Sequence, residues 1–140
     1  MTNQVLSKKI LVAVRPSDLG LVSSALGREF NLLICHTMEE AVAHLDERIG
    51  FIACGVRFDD GRMFDLLQAA KANPHTRQIP FYLLLGEGTR YSKSILHGIK
   101  TAAEALGATG FTDLSRLENL LGKEQAYERL REVVRRHLES

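Results

Sequence analysis

The sequence predicts an α/β domain in which a five-stranded parallel sheet is covered by helices on both faces. Two observations carry this. Short apolar runs recur along the chain (Ile10–Val14, Phe51–Val56, Phe81–Leu85), and they are continuous rather than alternating, as strands buried on both faces must be. Between the runs lie longer stretches with apolar residues at helical spacing. A strand–helix alternation of this kind needs crossover connections, which join parallel strands.

Taken in order, Ile10–Val14 is the first strand, stopped by Arg15-Pro16-Ser17-Asp18. Ser17 or Asp18 is placed to cap a helix whose Leu19, Val22 and Leu26 share a face, and Gly27 weakens its last turn. Leu32–Cys35 is the second strand. Thr37-Met38-Glu39-Glu40 has the spacing of a capping box, and Ala41, Val42 and Leu45 then face the sheet. Phe51–Val56 is the third strand. Asp60-Gly61 hinges it to a helix capped by Asp60, with Met63, Leu66, Leu67 and Ala70 on its apolar stripe, ended by Asn73-Pro74. Pro80 opens the fourth strand, Phe81–Leu85, where a missing N–H is tolerated. Gly86–Lys93 is a Gly-rich charged loop. Ile95 to Leu106 reads as a helix closed by Gly107, and Ala108–Thr112 as the fifth strand. Ser115–Leu121 is a short extra helix broken at Gly122. Gln125–Leu138 is the last helix, with Tyr127, Leu130, Val134 and Leu138 inward and Arg129, Arg131, Arg135 and Arg136 outward.

Composition narrows the function. The chain has 140 residues, 45% of them apolar and 25% charged, with a net charge of +1. One domain over residues 1–140 is expected, with its core at about residues 8–138. No global field argues for nucleic acid or a membrane surface, and no apolar run approaches the roughly 20 residues of a membrane span. The first residues, MTNQVLSKK, lack the apolar core of an export signal. Two cysteines make no disulfide framework, which fits a reducing, cytoplasmic setting. With right-handed crossovers, the natural strand order at this size is the flavodoxin-like 2-1-3-4-5. Strand one then separates Cys35 from Cys54 by roughly 9–10 Å, beyond the reach of a disulfide.

At this point the sequence resembles the receiver domain of bacterial response regulators (CheY-like) over residues 8–138. The resemblance rests on KKILVAV at the first strand, DDG before the third helix, NPHTRQIPFYLLL into the fourth strand and LGATGF approaching the fifth. It implies that a working member carries an acidic pair after strand one, which helps to hold Mg²⁺. It also implies a phosphoacceptor Asp ending strand three, a Ser or Thr ending strand four and a Lys ending strand five, because charge on the transferring phosphoryl oxygens must be neutralised. In this chain the acidic pair falls on Val14 and Arg15. The acceptor falls on Gly55, or on Cys54 or Ala53. The hydroxyl position falls on Leu85 and the Lys position on Leu114. The aromatic switch position keeps an aromatic, Phe111. Valine offers a hard cation no oxygen and Arg15 repels one, so a degenerate pseudo-receiver, needing no metal or other cofactor, is expected.

The other constellations read as structure. Asp59 and Asp60 are adjacent carboxylates, and a helix cap plus a solvated loop acid accounts for them. The five histidines show no paired ligand spacing. The glutamates interleaved with the arginines of the last helix make a salt-bridged solvent face. Gly86-Glu87-Gly88 lacks the Gly-Lys-Ser/Thr of a phosphate loop.

The leading functional reading is a signalling module that binds a protein partner, or a second copy of itself as a homodimer, without being phosphorylated. Its expected contact surface is the face of Phe111 with the loop residues Arg90, Tyr91 and Lys93, since Tyr and Arg are enriched at binding hot spots. The alternative is a small-ligand or redox sensor using the pocket vacated around Val14, Cys54, Leu85 and Leu114. An enzyme of flavodoxin-like fold is the third reading. It is set aside because no acid, base and nucleophile converge at the strand ends.

Overall fold

Five parallel strands form the central sheet of the computed structural model, which describes residues 8–86 and 91–139. They are β1 (Lys9–Ala13), β2 (Leu32–Cys35), β3 (Ile49–Gly55), β4 (Phe81–Leu85) and β5 (Gly110–Asp113). Their order is β2-β1-β3-β4-β5, all neighbours parallel, as the sequence predicts. Six helices surround the sheet: α1 (Leu19–Leu26), α2 (Met38–Ala43), α3 (Met63–Ala72), α4 (Lys93–Ala105), α5 (Leu114–Leu121) and α6 (Lys123–Glu139). No helix among the described residues is long and apolar enough to cross a membrane.

Strand periodicity sorts the core into two. Ile10, Val12, Val14, Phe51, Ala53 and Leu84 point to the face covered by α1 and α6, where they meet Val22, Leu26, Tyr127, Leu130 and Val134. Leu11, Ala13, Ile52, Cys54, Leu83 and Leu85 point to the face covered by α2, α3 and α4, where they meet Ala41, Met63, Leu66, Leu67, Ala70 and Ala103. Every strand residue between Ile10 and Ala13 and between Phe51 and Gly55 is buried, which is why these runs are continuously apolar.

The local signals act as read at several places. Thr37 and Glu40 form the capping box of α2. Asn73 ends α3 and donates its amide to the Leu45 carbonyl at 2.9 Å. The predicted ends of β3, β5 and α6 move by one or two residues.

Other local expectations fail. A 3-10 turn over Pro16–Asp18 precedes α1, and Asp18 makes no capping hydrogen bond there. Its carboxylate instead accepts from Arg15 Nε at 3.0 Å. Leu19 is exposed, and so is Val42 on α2. Asp60 does not cap α3, which starts at Met63 with no side-chain cap. Asp59, Asp60 and Gly61 all have positive φ, at 43°, 54° and 93°, so the chain makes a left-handed turn that only Gly61 adopts without strain.

Helix α6 is fixed to α1 by charge as well as by its apolar stripe. Arg135 forms a two-pronged pair with Glu29, its Nη2 lying 2.8 Å from Oε1 and its Nε on Oε2, and it also reaches Glu128. The hydrogen bond from Arg135, outweighing desolvation, holds the Glu29 carboxyl below its ordinary value of 4.5. A depressed folded value means that this stabilisation is complete above the unfolded value and is lost as pH falls through the folded one. Both side chains are more than a third exposed, so solvent screens the pair. Glu29→Gln is therefore expected to lower the unfolding free energy by about 0.5–1 kcal/mol at neutral pH. In denaturant titrations the difference from wild type should shrink below about pH 4.

At the other end of the sheet, β5 passes directly over an aromatic cluster. Tyr82 stacks on Phe51 with centroids 5.3 Å apart and its hydroxyl meets His137 Nε2 at 3.1 Å. A Cβ at Gly110 would lie 2.5 Å from the Tyr82 ring. Gly110→Ala should cost about 1–3 kcal/mol by overpacking, and thermal melts of Gly110→Ala with Tyr82→Leu should recover part of the loss.

Candidate functional site

In open parallel sheets, ligands sit outside the carboxyl ends of the strands, at the point where the strand order reverses. Here that point lies between β1 and β3, and the loops after these two strands build the site. The Val14 backbone is held on both sides, its N–H donating to the Cys35 carbonyl at 3.1 Å and its carbonyl accepting from His36 Nδ1 at 2.8 Å. The Val14 side chain is 1% exposed and turns into the core shared with α1 and α6. A Cβ at Gly55 would sit 3.4 Å from Val14 Cγ1. The valine thus borders the end of β3 with hydrocarbon, at ordinary contact distance.

Leu114 is fully buried in the same core, beside Leu84 and Tyr127. It is the first residue of α5, whose start is capped by Asp113 Oδ1 accepting from the Arg116 N–H at 3.0 Å. Cys54 and Leu85 belong to the opposite core, with Phe58 and Met63. The expected pocket around Val14, Cys54, Leu85 and Leu114 is therefore not one space. These positions alternate across the sheet, and all four side chains are packed.

The open volume lies further out. A groove of about 650 Å³ is lined by Arg15, Pro16, His36, Val56, Arg57, Asp59, Asp60, Gly61 and Tyr91. Asp59, despite its strained backbone, is an anchor: its Oδ2 accepts from the Met38 N–H at 2.8 Å, at the first turn of α2. It serves as a helix-end acid, but for α2 and not α3. A strand-end arginine is expected to reach solvent or a loop carboxylate such as Asp59, and Arg15 pairs with the loop carboxylate of Asp18. His36 belongs to the wall of this groove, which its scattered sequence context did not show. Its place one residue after β2 is the signal that could have found it. With Nδ1–H donating to the Val14 carbonyl, the neutral ring keeps Nε2 as an acceptor.

Both cysteines are free and buried. Burial pushes the Cys35 thiol up to about 11, with Glu40 adding to the rise, and burial alone pushes Cys54 well above the ordinary thiol range. The reactive species is the thiolate, and Ala13 of β1 lies between the two residues in the sheet.

The residues of the expected contact surface fall in different places. Arg90 lies outside the described residues. Tyr91 borders the strand-end groove. Lys93 is exposed in the first turn of α4, after the Ser92 cap. Phe111 is half-buried on β5, with Lys100 Nζ 5.1 Å from its ring centroid, beside a small pocket of about 220 Å³ between α4 and β5.

No family model and no curated protein matches the chain. Solved structures do. A response regulator from Hahella chejuensis matches with a TM-score of 0.71 at 19% identity, covering 94% of this chain and 96% of that one. The receiver domain of a sensor histidine kinase from Pseudomonas aeruginosa matches with a TM-score of 0.69 at 16% identity, covering 96% and 99%. A chemotaxis response regulator from Vibrio cholerae matches with a TM-score of 0.64 at 21% identity, covering 91% and 98%. The fold is the receiver fold.

The Pseudomonas receiver was solved with magnesium coordinated in its active-site cleft. The side chains of Val14, Arg15, Gly55, Leu85 and Leu114 offer such a cation no oxygen. Among the described residues, no group of three or more His, Cys, Asp or Glu side chains is placed to hold a metal ion. The donors at these strand ends do not fit a hard divalent cation.

Because Leu85 and Leu114 are packed, restoring polar groups there should unfold rather than activate the protein. Leu85→Thr is expected to destabilise by about 1–3 kcal/mol through an unpaired buried hydroxyl, and Leu114→Lys by at least as much. Unchanged denaturant midpoints in both variants would mean that the positions are wet.

Proposed function

We propose that this chain is a pseudo-receiver, a phosphorylation-independent module that acts in the cytoplasm by contacting a protein partner, in two-component-type signal transduction. The packing of Val14 against Gly55 is the observation that carries the reading. A phosphoacceptor at the end of β3 needs charged neighbours for a phosphoryl group and its metal, and what stands beside Gly55 is a buried methyl group, with which a Cβ there would make ordinary contact. With Leu114 buried on the same side and Arg15 tied to Asp18, the groups that would neutralise a phosphoryl oxygen are replaced by hydrocarbon and an internal ion pair. The response regulators and the kinase receiver that share its fold lend the signalling context by analogy. The reading includes no catalytic step. Its output is the contact itself, with a partner or with a second copy, and the Phe111 face of α4 and β5 remains a candidate surface.

A second reading is favoured by the strand-end groove. Its volume of about 650 Å³ and its mixed lining of Arg15, His36, Arg57, Asp60 and Tyr91 suit a small polar ligand better than the packed positions beneath it do. The redox form of this reading has less support, since both thiols are buried.

Acetyl phosphate with Mg²⁺ should leave the intact mass unchanged, and beryllofluoride should not raise the melting temperature. A gain of one phosphoryl mass that disappears in Asp59→Asn or Asp60→Asn would place an acceptor on the loop after β3 and end the pseudo-receiver reading.

A further inference from the structure

The strand-end groove holds two charges that the fold leaves uncommitted. Of the other ionised groups in its lining, Arg15 is paired with Asp18, and Asp59 accepts from the Met38 N–H at the positive end of α2. Arg57 and Asp60 remain. Both are exposed, both line the groove, and neither has an ion-pair or hydrogen-bond partner among the described residues. They stand at the two ends of one 3-10 turn, Arg57 just before it and Asp60 as its last residue, and they do not pair with each other. The backbone between them is the strained part of the chain. Asp59 and Asp60 are the two non-glycine residues of positive φ among the described residues, and both line this groove. Strain of this kind clusters at ligand clamps, and the groove lies at the point of strand-order reversal where open α/β sheets take their ligands. The uncharged polar groups of the lining are the Tyr91 hydroxyl and the His36 ring, whose Nδ1 is tied to the Val14 carbonyl.

We propose that the strand-end groove binds a small zwitterion of the α-amino acid class, its carboxylate taken by Arg57 and its ammonium by Asp60. The proposal rests on the small-polar-ligand reading of this groove and names the ligand's chemistry. One uncommitted charge of each sign selects the occupant. A phosphate ester or a dicarboxylate would satisfy Arg57 and set a second anion against Asp60. A diamine would satisfy Asp60 and set a second cation against Arg57. Either mismatch costs affinity. A molecule with one group of each sign satisfies both, and an α-amino acid carries the two on one carbon, as Arg57 and Asp60 are carried by one short turn. The guanidinium suits the carboxylate, which it can take through two parallel N–H···O bonds. His36 and Tyr91 are left to meet the side chain of the amino acid.

The test is an amide NMR titration of the full chain with each of the standard L-α-amino acids in turn, and with succinate, putrescine and inorganic phosphate. Any amino acid that binds is repeated as its N-acetyl derivative, which lacks the positive charge, and as its carboxamide, which lacks the negative one. The variants are Arg57→Gln, Asp60→Asn and, as a distant control on α4, Lys100→Gln, and the dispersion of their spectra reports the fold. At least one amino acid should shift the signals of His36 and of residues 57–61 saturably. Loss of either ligand charge should weaken binding about tenfold or more, as should Arg57→Gln or Asp60→Asn, while Lys100→Gln binds as wild type. The proposal is overturned if no amino acid moves these signals, if either derivative binds as well as its parent, or if binding is undiminished in Arg57→Gln or in Asp60→Asn. Shifts of the same signals by succinate, putrescine or phosphate alone sink the zwitterion and keep the small-polar-ligand reading. Silence of every probe sinks both, and the pseudo-receiver reading is decided separately by the phosphoryl mass.

Discussion

Everything at the strand ends follows from the two-sided burial of β1 and β3. A central parallel strand has no solvent face, so each successive side chain must be accommodated in one of two cores. Residues that share a strand end are neighbours in the chain but enter opposite layers. Val14 and Ala53 join the α1/α6 layer, while Ala13 and Cys54 join the α2/α3/α4 layer. A cavity does not form simply because four strand-end positions are apolar. Each apolar side chain is recruited into the core it already faces, and packing at near-crystalline density closes the space. This is why the open volume lies outward, among loop residues whose side chains the cores do not claim.

The loops are held by polar contacts that look functional in sequence and act as fasteners in the fold. Asp59 carries a left-handed backbone conformation that disfavours it, and its carboxylate is anchored by the Met38 N–H at the positive end of α2. His36 clamps the Val14 carbonyl, and the Arg15–Asp18 pair closes the turn into α1. These contacts tie the loops after β1, β2 and β3 into one rim. The strained backbone at Asp59 is thus held by a hydrogen bond from the neighbouring helix α2.

The strands were legible because a buried parallel strand has an unmistakable composition. Leu32–Cys35 and Phe81–Leu85 were placed to the residue, and the capping box at Thr37–Glu40 is a local signal that tertiary structure did not override. The misses share one cause. Asp18 and Asp60 are plausible caps by position, but each carboxyl-bearing loop had a choice of partners, and which N–H or guanidinium lies closest is decided by how the loops pack. The same holds for Leu19, exposed because the 3-10 turn over Pro16–Asp18 intervenes before α1 starts. Sequence position showed which residues stand at the strand ends. It did not show which core each enters, nor that His36 and Arg57 would supply the groove wall.

The packing also bears on what an acidic side chain at the end of β3 would meet. At Gly55 an added Cβ would stand in contact with Val14 Cγ1, and Val14 belongs to the same buried layer as Leu114 and Tyr127. A carboxylate introduced at the end of β3 would enter a space bounded by a buried methyl group, with no side-chain cation in the Leu114 position to meet it. Such an unpaired charge is costly in a low-dielectric layer. Truncating Val14 alone would leave a void in that layer, which is also unfavourable. An acid placed at the end of β3 would need a neutralising partner placed with it. The hydrocarbon of Val14 and Leu114 is stabilised in the same two-layer core that holds the sheet.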